Sequence, residues 1–205
     1  MINENFFDTI DSEIKAYLLG FITADGTIND TRKTPILQVH ISIKDAYIIE
    51  LLETYIGCTT KTYYTSTSAA FRTTNAHLCS ALEKYNVFPR KTGHEKLSDV
   101  VLNSNLSNHY IRGLIDGDGW ICNTVINDTH LRKSVGFCSS EQACVQMRNY
   151  FTTRLGCYPV SVLKVKNKNN YKINYSSVDD VTKIVKFLYT NAGFYLYRKY
   201  AEAII

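Results

Sequence analysis

Apolar residues three and four apart run through residues 46–57 and again through 141–156. Each run halts at a glycine, in Ile56-Gly57-Cys58 and in Leu155-Gly156-Cys157. That period predicts two helices, each stopped by a residue able to take the left-handed turn of a helix end. Ahead of the second, Ser139-x-x-Gln142 reads as a capping box. Farther on the period changes from helical to alternating. Residues 160–165 and 171–176 read as strands on either side of a turn at Asn167-Lys168-Asn169-Asn170. The matching part of the first half, residues 61–74, is rich in Thr and Ser, with Tyr63, Tyr64 and Phe71 as its β-formers. A third helix and a basic pair follow in each half, Arg90-Lys91 and Arg198-Lys199. One unit therefore reads as helix, two strands, helix, two strands, helix, an α+β pattern.

The units are related by a repeat. Tyr17-Leu-Leu-Gly20-Phe-Ile-Thr-Ala-Asp25-Gly26-Thr-Ile28 returns as Tyr110-Ile-Arg-Gly113-Leu-Ile-Asp-Gly-Asp118-Gly119-Trp-Ile121, 93 residues later. The halves divide as 1–98 and 99–205, joined by a polar linker at about 92–108 whose Ser107 or Asn108 caps the second repeated helix. Gly20 and Gly113 fall in mid-helix, where glycine costs about 1 kcal/mol relative to alanine. Close approach of two helix backbones gives that cost a reason. Helices packed in this way would bring Asp25 and Asp118 together at one end, a carboxylate pair suited to Mg²⁺. An Asp-Gly helix exit into a turn needs no chemistry, and remains the plainer reading of either copy alone.

Composition narrows the class. The chain has 205 residues, 45% hydrophobic and 20% charged, enough to bury a core. No apolar run approaches the roughly 18 residues of a membrane span, and the acidic start is unlike a secretion signal, so a soluble protein of the cytoplasm or an organelle matrix is expected. Cys58, Cys79, Cys122, Cys138, Cys144 and Cys157 lack the paired spacing of a zinc site and read as thiols in a reducing compartment. Charge is uneven: residues 1–102 hold 10 Lys/Arg against 12 Asp/Glu, and residues 103–205 hold 13 against 7. The second half is the one to search for a polyanion contact.

The two repeated segments resemble the LAGLIDADG motif. Residues 18–26 match it with Thr23 where the first aspartate would stand, and residues 111–119 match with Arg112 and Gly117 in place of the alanines. Two copies in register, with the same helix order after each, resemble the single-chain LAGLIDADG homing endonucleases over nearly the whole chain. The resemblance implies two pseudo-symmetric αββαββα repeats, motif helices packed at their interface, and antiparallel sheets forming a saddle for double-stranded DNA. It implies a monomer with an internal pseudo-two-fold axis that hydrolyses both strands of a long target.

In such an enzyme Asp25 and Asp118 would ligate Mg²⁺, for which Mn²⁺ can substitute, with the backbone of Ala24 and Gly117 beside the metal. Lys91 and Lys199 fall where the family has a basic residue near the active site, and Arg90 and Arg198 stay open as alternatives. A water-positioning polar residue is expected near Ile43 and Ser139; Ile43 departs from that pattern. A cleavage-inactive DNA-binding regulator and a maturase acting on intron RNA are other uses of the same scaffold.

A two-strand ribbon fits the major groove and presents alternate side chains to base edges. In the second half Lys164, Lys166, Lys168, Lys172, Asn174 and Ser176 make the polar, basic set. In the first half Asn29, Arg32, Lys33, Gln38 and His40 on one hairpin, with Lys61, Tyr63 and Arg72 on the other, are the corresponding candidates. A solvated sheet face would show the same alternation.

Overall fold

The computed structural model describes residues 1–126 and 130–204. The first repeat runs α1 (Glu13–Asp25), β1 (Gly26–Asn29), β2 (Ile36–Ser42), a 3₁₀ turn (Ile43–Asp45), α2 (Tyr47–Tyr55), β3 (Tyr63–Tyr64), β4 (Ser68–Thr74) and α3 (Ala76–Glu83). A short α4 (Asp99–Leu102) lies inside the stretch expected to be linker. The second repeat runs α5 (Ser107–Asp118), β5 (Gly119–Ile126), β6 (His130–Ser139), α6 (Glu141–Leu155), β7 (Leu163–Lys164), β8 (Tyr171–Tyr175), α7 (Val178–Tyr189) and α8 (Tyr197–Ile204). Each repeat forms a four-stranded antiparallel sheet, ordered β1-β2-β4-β3 and β5-β6-β8-β7. The fold is α+β, with two similar repeats.

Helices α1 and α5 form the spine. α1 is buried almost all round, with Tyr17, Leu18, Leu19 and Ile22 fully enclosed. A Cβ added to Gly20 would overlap the carbonyl oxygen of Tyr110, and one added to Gly113 would overlap that of Tyr17. The two backbones thus touch reciprocally, which is the compensation the mid-helix glycines require. The contact continues toward the C-terminal ends, where a Cβ on Gly117 would collide with Ala24.

Local signals were misplaced by a residue or more at three points. Ser140, not Ser139, caps α6: its Oγ accepts the Ala143 N–H, while Ser139 closes β6. α5 has no side-chain cap at all, because Ser107 Oγ accepts from Tyr150 Oη and Asn108 Nδ2 donates to the Thr190 carbonyl. The strand expected over 160–165 shrinks to Leu163–Lys164, since the Val165 N–H already bonds the Asn170 carbonyl to close the hairpin turn. Gly156 behaves as expected, ending α6 with φ 66°. Among the described residues no helix is long and apolar enough to cross a membrane.

Candidate active site

Each motif helix ends on its aspartate and passes directly into the first strand of its sheet through Gly26 or Gly119. Because the helices touch along their length, both ends arrive together: Asp25 Oδ2 lies 3.4 Å from where a Cβ on Gly117 would stand. A pocket of about 240 Å³ opens there, lined among others by Ala24, Asp25, Asp118, Lys91, Glu95 and Ser139. Among the described residues no hydrogen bond or ion pair engages the Asp25 or Asp118 carboxylate. Burial raises Asp25 above the ordinary carboxylate range, opposed by Lys199 and Lys91. Burial and then the neighbouring Asp25 charge push Asp118 further, to about 7. Two close, desolvated carboxylates of like charge repel, and a cation between them relieves both costs.

The basic pairs resolve into different roles. Lys91 Nζ donates to the carbonyls of Thr23 (2.6 Å) and Ala24 (2.8 Å). Lys199 Nζ donates to those of Ile115 (2.6 Å), Asp116 (2.7 Å) and Gly119 (2.6 Å). Each lysine therefore ties the C-terminal turn of its own repeat's motif helix, where backbone carbonyls lack helical partners and a positive charge is favoured. An ammonium has three N–H groups. Lys199 uses all three on carbonyls, whereas Lys91, which lines the pocket, has one uncommitted among the described residues. Burial lowers both lysines, Lys199 to about 8. The alternatives Arg90 and Arg198 instead pair with carboxylates, Arg90 with Asp30 at 3.1 Å and Arg198 with Asp45 at 2.8 Å.

Ser139 lines the pocket, but Ile43 does not; it begins the 3₁₀ turn after β2. Strand register corrects the expected pairing. Val39 faces Gly26 as Phe137 faces Gly119, so the counterpart of Ser139 is Ile41. The first repeat still has isoleucine at the polar position. Glu95, Cys138 and Asn170 also line the pocket and were not expected. The sequence marks Asn170 only as a turn residue and Cys138 only as a thiol, and nothing local marks Glu95.

The outer faces of the sheets carry most of the proposed contact residues. On the first, Thr27, Gln38 and Arg72 stand side by side, next to a row holding His40, Ala70 and Tyr63, with Asn29 at the far end. Arg32 and Lys33 sit exposed in the β1–β2 loop, and Lys61 is exposed before β3. On the second, Lys172 and Asn174 face outward, and Ser176 follows β8, its Oγ accepting from Arg132. Lys164 is a correction. It pairs with Tyr171, its ammonium 6.0 Å from that ring, so it lies on the opposite face from Lys172, whose partner is Leu163. Lys166 and Lys168 project from the exposed hairpin turn. Arg132 and Trp120 belong to the outer face and were missed.

No protein-family model and no curated protein sequence matches the chain. Solved structures do. The LAGLIDADG homing endonuclease I-GzeII in complex with its DNA target superposes with a TM-score of 0.66 over 91% of this chain and 86% of that one, at 12% identity. I-SmaMI, another LAGLIDADG homing endonuclease, bound to cleaved DNA gives 0.65 over 94% and 87%, at 14% identity. I-SmaMI bound to its uncleaved target with calcium ions gives 0.62 over 87% and 84%, at 15% identity. The architecture is that of the LAGLIDADG homing endonucleases in their single-chain, two-repeat form.

Proposed function

We propose that this chain is a site-specific DNA endonuclease that hydrolyses both strands of a long duplex. The reading treats residues 1–98 and 99–205 as its two domains, each covering one half of the target. One observation carries it: two partly buried carboxylates, engaged by no direct hydrogen bond or ion pair among the described residues, sit where glycine-packed helices end beneath a pair of polar sheet faces. The DNA-bound states of I-GzeII and I-SmaMI support the same placement of a duplex, and the calcium in one of them supports a divalent cation.

The donor set fits Mg²⁺, with Mn²⁺ as substitute. Among the described residues no cluster of three or more His, Cys, Asp or Glu side chains encloses a metal. Asp25 and Asp118, aided by the backbone at Ala24 and Gly117, would supply a minority of the ligands and leave room for water and phosphate oxygens, the shell this ion prefers. When bound, the ions supply activated water for attack on the scissile phosphate and stabilise the leaving oxygen. The protein's own part is positional. Gly20 and Gly113 set the spacing of the carboxylates. Lys199, with every N–H committed, holds the second helix end, while Lys91, which lines the pocket, has one N–H uncommitted among the described residues that can donate to a phosphate oxygen or a water. Ser139 can orient water on its side only, so the strands are expected to be cut at unequal rates.

Carboxylates raised in this way argue for the enzyme over a cleavage-inactive regulator on the same scaffold, because a metal-free interface would be better served by neutral residues. Incubation with a randomised duplex library in Mg²⁺, followed by sequencing of new ends, should return one recurrent target cut on both strands. Recurrent binding without new ends in either Mg²⁺ or Mn²⁺ would overturn the assignment.

A further inference from the structure

The first outward-facing row beyond each catalytic aspartate differs completely between the repeats. In the first it is Thr27, Gln38 and Arg72; register makes the second Trp120, Gly136 and Asn174. Trp120 lies across Gly136, where any Cβ would overlap the indole ring. Its Nε1 donates to Asn174 Oδ1 at 3.2 Å. An indole N–H can only donate, so the amide atom it meets must be the oxygen, and the Asn174 amino group is the end left to face a ligand. The core lies on the other side of the sheet, with Ile121, Val135, Phe137 and Ile173 buried there. Trp120, half-exposed, is not needed to fill it.

In the major groove a thymine presents its 5-methyl group beside the acceptor O4, whereas cytosine presents an N4 donor. An apolar ring next to an amino donor complements thymine and opposes cytosine. Gln38 and Arg72 offer hydrogen bonds instead, and among the described residues neither side chain is engaged by another. An unengaged arginine reads guanine through O6 and N7. Resting on the endonuclease reading above, we propose that Trp120, seated on Gly136 and tied to Asn174, is a specificity-determining contact that reads a thymine methyl in the half of the target under the second sheet. The corresponding row in the first half reads a guanine through Arg72. The target is therefore not palindromic at these two positions.

The chain contains a single tryptophan, so its emission reports on this row alone. With the selected target duplex and Ca²⁺, binding is followed by anisotropy of a labelled duplex, and indole emission is recorded in parallel. Binding should quench the emission and shield it from iodide. Replacing each thymine of the second half-site by deoxyuridine removes only the methyl; one position should weaken wild-type binding about four-fold, the effect of one buried methyl-sized group. Trp120→Thr installs the residue that the first repeat carries in this row, so the fold should survive, as an unchanged thermal midpoint will verify. That variant should bind thymine and deoxyuridine targets alike. Unchanged emission on a duplex that anisotropy shows to be bound, or wild-type indifference to deoxyuridine at every position, would overturn the inference while leaving the endonuclease intact. A wild-type protein that binds no duplex would overturn the endonuclease reading itself.

Discussion

The residue before Gly20 is Leu19 and the residue before Gly113 is Arg112, and both are completely buried. Leu19 sits among apolar neighbours. Arg112 carries its charge inward, pairing with Glu13 at 2.6 Å and donating to the carbonyls of Leu188 and Phe194 at 2.7 Å each. The contrast recurs one turn later. Thr23 satisfies its hydroxyl on the Leu19 carbonyl of its own helix, whereas Asp116 accepts the Tyr17 hydroxyl and the Leu196 N–H, both at 2.9 Å. In the second repeat, polar groups on the motif helix fasten the segment leading into α8, which carries Lys199; in the first, the chain before Lys91 is held by buried Tyr85 and Val87. Since the backbone contact at the two glycines fixes where the helices lie, side chains around it have been free to solve the same packing problem by different chemistry.

The largest effect should come from the element the halves share. Gly20→Leu or Gly113→Leu would drive a side chain into a backbone carbonyl that cannot move aside, a Cβ alone already overlapping that oxygen, so the loss should exceed both the roughly 1–3 kcal/mol usual for overpacking and the cost of any substitution below. Urea unfolding of both variants will show it; unchanged midpoints would mean the helices are not in contact.

Arg112→Leu gives the second repeat the first repeat's residue. It removes the arginine from Glu13, which among the described residues keeps only the Gly193 and Phe194 N–H groups and His109, and it leaves the Leu188 and Phe194 carbonyls without their side-chain donor, an expected cost of about 3–5 kcal/mol. Leu19→Met, which keeps the apolar solution, should cost less than about 1.5 kcal/mol. Equal losses in the two variants would erase the distinction between the halves.

The aspartates should differ in their effect on pH dependence. Asp118 is raised from 3.8 to about 7, so between those values the folded protein keeps a proton that the unfolded chain has released. Its destabilising contribution is absent below the lower value and complete above the higher, at most about 4 kcal/mol. Metal-free protein should lose thermal stability from about pH 4 to about pH 7 on this account. Asp118→Asn should remove much of that loss, and added Mg²⁺ should restore more stability at the upper pH than at the lower. A variant with the wild-type pH profile would contradict a desolvated Asp118 carboxylate.

The smallest expected effect lies at the hairpin tip. Replacing Lys166 and Lys168 by alanine should flatten the slope of log affinity against log salt by about 1–2 if both meet phosphate, each contact contributing roughly 0.9. Lys164→Ala, on the opposite face, should leave it unchanged. Anisotropy across a salt series in Ca²⁺ separates these outcomes.

What could be read from the sequence was what the backbone itself demands. Gly20 and Gly113 announced the helix contact, the repeat announced the two sheets, and the aspartates stood at the helix ends because the motif places them there. Less visible was anything joined across the chain. Lys199 was found as half of a basic pair, yet its three carbonyl partners lie more than 79 positions away. Glu95 has no local mark at all. Lys164 was placed on the wrong face because one residue of strand register reverses every side chain. The sequence signal for Trp120 is indirect: a glycine within strand β6, Gly136, points to something lying close upon it.

The account rests most heavily on Asp25 and Asp118 acting as one metal-dependent cleavage site. Supercoiled plasmid carrying the selected target, incubated in Mg²⁺ with wild-type, Asp25→Asn or Asp118→Asn protein, tests this directly when binding of each is measured alongside in Ca²⁺. Wild-type protein should linearise the plasmid, and either variant should lose linearisation while retaining target binding, since each substitution removes a ligand charge and almost no volume. Linearisation at the wild-type rate by both variants would contradict it.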